Sequence, residues 1–268
     1  MNMRMVTGAI ASTEILGLSH LVCPVSEFLA AETFLGTLGY STGGRVESGV
    51  NPPAKAAFID GPLSPTYSMQ LMVGPRGTCP VELLKEGDGR ALKGEGASDF
   101  EAIFSPGELS PDQVIEGPNE RANPMCLPGF GAAGAASAAS VRCSVVIPSV
   151  DIQQTLMFWT AVGLSADQLS PEMARVSVRS AMPGQIATIY IVHRPAARPR
   201  GVLNAPGLTC LSLFCLDTDR LTRRLVQEGF EAGTCFDLSP FGRNLRIVFV
   251  RSRTGELYEL ISVAREVR

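Results

Sequence analysis

His20 and His193 are the only imidazoles in the chain, so any chemistry that needs a near-neutral base or a nitrogen ligand must use one of them. His20 stands in the short apolar run 17–23, GLSHLVC, which reads as a strand. An imidazole titrates near neutral pH, so it can act as a general base, a hydrogen-bond partner for substrate or a metal ligand. A lone strand histidine is equally well a satisfied pocket residue. His193 closes the run 186–193 beside Arg194 and Pro195 and is expected at the surface. Glu259 interrupts the apolar run 257–263, LYELISV. A buried carboxylate there is costly unless paired, and Arg246 and Arg175 are the natural partners. Left in an apolar cavity, its pKa rises and it can serve as acid or base, or as a metal ligand. Tyr190 supplies a phenol that either meets a substrate or simply packs.

Other chemistries lack their residues. Seven cysteines, at 23, 79, 126, 143, 210, 215 and 235, form no CxxC or other ligand spacing and read as reduced core thiols of an intracellular protein. The segment GFGAAG at 129–134 lacks both the spacing and the strand-then-helix context of a dinucleotide fingerprint. No nucleophile elbow or phosphate loop occurs. Net charge is −3 with pI about 5.5, so no overall basic field holds a nucleic acid. No stretch approaches about 18 unbroken apolar residues, and the N-terminus has no secretory pattern, which makes the cytoplasm the expected location.

The elements that must position these residues come from an internal repeat. An acidic residue is followed twelve positions later by glycine and a bulky residue at Glu27 to Gly39-Tyr40, Asp151 to Gly163-Leu164 and Asp217 to Gly229-Phe230. Each spacing predicts a helix, opened by an acid that complements its dipole and closed by a left-handed glycine. Short strand-like runs flank each helix, so the plan is a βαβββ unit copied several times. In the first copy the strands are expected at 17–23, 41–47, 55–60 and 66–73, with Ser26 able to cap the helix. Between 74 and 140 the pattern weakens, although 98–104 is a plausible strand. This stretch is either a degenerate fourth copy or a dedicated loop. Residues 129–140, GFGAAGAASAAS, read as a flexible linker. Phe34, Phe158 and Trp159 fall on helix faces and are expected in the core.

The runs LSHLVCPV at 18–25, FLGTLGY at 34–40, FWTAVGL at 158–164 and LRIVFVRSRTGELYEL at 245–260 resemble the vicinal oxygen chelate superfamily of glyoxalases, bleomycin-resistance proteins and extradiol dioxygenases. The resemblance implies an α+β fold in which βαβββ modules pair into cup-shaped mixed sheets, arranged as two tandem domains. These are expected at 15–128 and 141–268, after an N-terminal tail at 1–14 and joined by the linker. It further implies a metal held by the first and last strands of each module. Residues two apart on a strand share a face, so His20 and Val22 point into the cup while Leu21 and Cys23 meet the helix. First-strand ligand positions then hold His20, Ser144 and Cys210, with Phe100 or Glu101 in the degenerate copy, and last-strand positions hold Gln70, Tyr190 and Glu259. Two histidines and a carboxylate, as extradiol iron chemistry requires, are not available.

The expectation is therefore a small-molecule enzyme of lyase or isomerase type, working by acid–base chemistry on an oxygenated organic substrate. His20, Glu259 and Tyr190 are the catalytic candidates, and Gln70, Ser144, Cys210 and Arg246 the substrate-binding ones. No cofactor is expected, with a divalent metal on His20, Gln70 and Glu101 as the alternative. No nucleic-acid or membrane partner is expected, and a homodimer is one possible assembly. The competing function is a binding protein that sequesters its ligand without turnover.

Overall fold

The computed structural model describes residues 13–87, 100–105, 109–116, 130–132, 142–180, 186–195 and 201–264. Each repeat segment forms a helix between strands. The first unit comprises β1 (Ile15–Pro24), α1 (Phe28–Thr37), β2 (Ser41–Val50), β3 (Thr66–Val73) and β4 (Val81–Glu86), and the second β5 (Glu101–Ser105), α2 (Pro111–Glu116) and β6 (Phe130–Ala132). The third contains β7 (Arg142–Ser149), α3 (Ile152–Ala161), β8 (Ala166–Ser170), β9 (Met173–Arg179) and β10 (Ile186–His193). The fourth contains β11 (Cys210–Cys215), α4 (Thr218–Gln227), β12 (Glu231–Ala232), β13 (Phe236–Leu238), β14 (Leu245–Arg251) and β15 (Leu257–Val263).

The helix stops obey the repeat. Gly39, Gly163 and Gly229 have φ of 81°, 82° and 86°, the left-handed conformation in which a side chain is strained. Asp151 and Asp217 cap their helices by accepting from the backbone N–H of Gln154 and Arg220. The first helix starts at Glu27 with no side-chain cap, so the expected Ser26 cap is not made.

Two expectations need correction. The strand expected at 55–60 is a 3₁₀ turn at Pro53–Phe58, because Pro52-Pro53 fixes φ and removes ladder donors. The last strand of the first unit is consequently β4 rather than β3. Phe130, placed in the flexible linker by its glycine-rich surroundings, begins β6 and is fully buried. Residues 133–140 of that linker lie outside the described residues, as do 1–12 of the tail.

The strands form two curled mixed sheets. The larger runs β12-β14-β15-β11-β1-β4-β3-β2, with β13 on β14, and joins the first unit to the fourth. The smaller runs β6-β5-β7-β10-β9-β8 and joins the second unit to the third. Each sheet thus draws strands from both sides of the 129–140 stretch. Pairing of outer with outer and inner with inner units completes each cup within one chain.

Helix faces and strand backs meet in one core. Phe28, Ala31, Phe34 and Leu35 of α1 pack with Leu21 and Cys23 of β1, while Phe158 and Trp159 of α3 pack with Tyr258 of β15. Tyr258 is fully buried, stacks on Phe158 at 3.7 Å and meets Phe100 edge-on at 5.8 Å, so it ties the fourth unit to the second and third. Aromatic pairs of this kind contribute about 0.5–1.5 kcal/mol each beyond area burial. Tyr258→Leu is therefore expected to destabilise the protein by about 1–3 kcal/mol in urea unfolding; unchanged stability would show that the rings do not hold the sheets together.

Candidate active site

The inner faces of the two cups differ in content. In the smaller sheet, Ile103, Val146, Met173, Tyr190 and Val192 form an apolar cluster with Leu109 and with Val114 of α2. The shortened helix of the degenerate unit thus packs on the face where a ligand would sit. Ser144 shares that strand face, and Glu101 there pairs with Arg194 at 3.3 Å.

The larger cup keeps an open cavity of about 760 Å3. Its polar floor is built from four strands. β1 lies between β11 and β4, with His20 opposite Ser212 and Val22 beside Glu82, and β15 runs next to β11 with Glu259 beside Ser212. Four inward positions on adjacent strands therefore place His20, Glu82, Ser212 and Glu259 together. His20 Nε2 lies 3.3 Å from an oxygen of Glu82, 3.3 Å from one of Glu259 and 3.0 Å from Ser212 Oγ. The Ser212 hydroxyl donates to Glu259, and Ser19 Oγ lies 2.9 Å from His20 Nδ1, fixing the ring from its other side.

The electrostatics follow from this packing. Burial disfavours a charged imidazole, but Glu82 and Glu259 outweigh it by charge and hydrogen bonding, and the pKa rises to about 10. Burial likewise pushes the Glu259 carboxyl up, yet hydrogen bonds from His20 and Ser212, with the charges of His20 and Lys55, hold it below its ordinary value. At neutral pH the floor is an imidazolium clasped between two carboxylates. Apolar walls rise above it from Met69, Leu71, Phe214, Ile247 and Ile261. At the mouth, Phe241 adopts φ of 53° and lies over Gly44, where a methyl group would come within 2.7 Å of its ring.

Among the sequence candidates, His20 and Glu259 meet. Tyr190 lies in the other, filled cup and cannot act with them. Gln70 points to the helix side, donating to Glu32 and to Thr42 Oγ1 at 2.9 Å, because β3 presents Tyr67, Met69 and Leu71 to the cavity and turns the intervening residue away. Glu101 belongs to the other sheet, so His20, Gln70 and Glu101 do not converge. Cys210 shares the inner face two residues before Ser212 and is buried against Val22, Met69 and Phe249. Arg246 sits on the helix side of β14, bound by Asp219 at 3.0 Å and Asp237 at 3.2 Å rather than by Glu259, and Arg175 is paired with Asp167. His193 is exposed. Burial pushes the thiols of Cys23 and Cys143 up to about 12.

Glu82 and Ser212 escape the repeat ruler for local reasons. Misreading the 3₁₀ turn as a strand shifts the strand count by one, and in β11 the inward residue level with His20 is Ser212, two positions beyond Cys210. One signal could have found Glu82: Val81-Glu82-Leu83-Leu84 matches Tyr258-Glu259-Leu260-Ile261 in pattern.

Paired βαβββ units curling around a polar floor supplied by first and last strands define the vicinal oxygen chelate fold, and this chain has it. A candidate dioxygenase from Bacillus subtilis matches 95% of this chain and 87% of its own at a TM-score of 0.56 and 12% identity. Glyoxalase I from Zea mays, as its V278E mutant, matches 94% of this chain and 92% of its own at a TM-score of 0.52 and 13% identity. No protein-family model matches the sequence, and no curated protein does. Among the described residues, no group of three or more His, Cys, Asp or Glu is arranged as a ready metal centre, and no helix is long and apolar enough to cross a membrane.

Proposed function

We propose that the larger cup is the active site of an enzyme that moves a proton on an oxygenated organic substrate, in the manner of an isomerase or lyase. The observation that carries this reading is His20 Nε2 at 3.3 Å from both Glu82 and Glu259, at the floor of an apolar cavity of about 760 Å3. When the imidazolium Nε2–H turns from Glu82 to a substrate carbonyl oxygen it donates to that oxygen, and the carboxylate so released is an acceptor for the proton on the adjacent carbon. Glu82 serves as that acceptor. Glu259, engaged by Ser212, holds the ring in place. Exclusion of water by the apolar walls strengthens both interactions.

The same donors suit the divalent ion that the fold family uses. Deprotonated at Nε2, His20 offers a nitrogen whose other ring atom is already fixed by Ser19, and Glu82, Glu259 and Ser212 add oxygens. In the structure His20, Glu82 and Glu259 close around the proton on His20. When bound, such an ion would polarise substrate oxygens.

Solvent exchange tests the proposal directly. In deuterium oxide the protein is expected to exchange the α-protons of 2-oxo acids and hydroxy ketones with solvent, followed by NMR, and His20→Gln is expected to stop the exchange. Tight binding without exchange in either form would mark a sequestering protein instead.

A further inference from the structure

Lys55 is the buried charged group of the cavity that the acid–base centre does not use; the guanidinium of Arg243, which also lines the cavity, is exposed. It reaches inward from the 3₁₀ turn Pro53–Phe58 and lines the same cavity as His20, Glu82 and Glu259, yet it is only 7% exposed. A buried ammonium ordinarily finds a carboxylate or several carbonyl acceptors, because it surrenders hydration otherwise. Here its contact is the face of Tyr67, with Nζ 4.6 Å from the ring centroid. Among the described residues its ammonium makes no hydrogen bond and no ion pair. Its charge reaches Glu259 only through space, and Glu259 is already bound by His20 and Ser212. Glu82 is likewise committed to His20. Both carboxylates of the floor thus meet His20, and the Lys55 charge faces the cavity without a counter-ion in contact.

The shape of the cavity limits what that counter-ion can be. From the floor upward the walls are Met69, Leu71, Phe214, Ile247 and Ile261, so most of a ligand's surface must be apolar. A single buried ammonium flanked by an aromatic face suits a monoanionic carboxylate; a phosphate draws several buried donors, commonly the forked ones of arginine, and Arg243 of the cavity lining is exposed.

Resting on the reading of this cup as the active site, we propose that Lys55 is the anchor for a substrate carboxylate and that the substrate is an amphipathic acid. Its aryl or medium-chain alkyl body lies along the apolar wall, and the reacting carbonyl meets His20. Lys55 positions the substrate and takes no part in proton transfer.

Calorimetric titration with phenyl-, naphthyl- and C8–C10 alkyl carboxylates, each beside its primary amide, tests this without any turnover. The wild type is expected to bind at least one acid roughly 10- to 100-fold more tightly than its amide. Lys55→Met, which keeps the stem over Tyr67, is expected to bind acid and amide alike, and Lys55→Arg to retain the preference; circular dichroism confirms that each variant folds. Equal binding of acid and amide by the wild type, no binding of any acid in the panel, or an undiminished preference in Lys55→Met would each overturn the proposal. Failure of α-proton exchange with the acid preference intact would remove the catalytic reading and leave the anion site standing.

Discussion

His20→Gln is expected to destabilise the protein by about 3–5 kcal/mol at pH 7, the effect of stripping one partner from a buried ionic cluster, and to move its response to pH into a more acidic range. In the wild type, the His20 pKa is raised from 6.5 to about 10 in the folded state. A raised pKa contributes stability in full below the unfolded value and loses it as pH climbs through the folded one. Glu259, whose pKa is lowered from 4.5, contributes stability above that value and loses it as pH falls further. The cluster is therefore at full strength between about pH 4.5 and 6.5 and weakens progressively towards pH 10.

Without the imidazolium, Glu82 and Glu259 face each other with only the Ser212 hydroxyl between them. Like charges in a buried site favour protonation, so the folded variant binds protons more readily than its unfolded chain and gains stability on acidification from pH 7 towards 5. Urea unfolding at pH 5, 7 and 9 separates the cases: the wild type loses stability from 7 to 9, whereas the variant's main change lies between 7 and 5. Parallel curves would show that His20 carries no proton between the carboxylates.

Legibility of the site in the sequence follows the length scale of the forces involved. Helix ends are local: an acid at the start and a glycine with no side-chain strain at φ above 80° can be read from single residues, and Gly39, Gly163 and Gly229 stand where the spacing puts them. The facing of β1 is also local, since period-two alternation sends Val22 inward against Tyr67 and Phe249 and Leu21 and Cys23 to the helix side. Partnering of units is not local. The pairing of β1 with β11, some 190 residues away, rests on which sheet edges fit, and the repeat looks the same whichever units share a cup. That pairing alone decides that His20 meets Glu259 while Tyr190 belongs to a cup filled by Val114 of α2. Gln70 shows the remaining weakness. A proline-rich turn that reads as a strand advances the count by one, and a one-position error on a strand exchanges an inward residue for an outward one.

Glu82→Gln is expected to slow α-proton exchange by about 10²–10⁴, the range for losing a positioned acid or base, while the affinity for the acid probe changes little. Glu82 is the strongest of the influences that raise the His20 pKa against the lowering effect of burial, so its neutralisation brings the imidazole down from about 10 towards the neutral range. The chain has two histidines, and His193→Gln assigns the two imidazole Cε1–H resonances, so this shift is read by NMR without any substrate. Glu259→Gln also lowers the His20 pKa but leaves Glu82 as acceptor; its rate loss is expected to be smaller and to come with a looser ring, seen as broadening of the His20 resonance. The two variants thus separate the group that takes the proton from the group that holds the donor. In Glu82→Gln any residual rate should fall as pH rises through the new His20 pKa, because the donor to the carbonyl is then lost, whereas the wild type keeps that donor until near pH 10. Retention of the rate within about threefold in Glu82→Gln, with the His20 titration displaced as expected, would assign the base to another group and leave Glu82 a purely electrostatic part in the cluster.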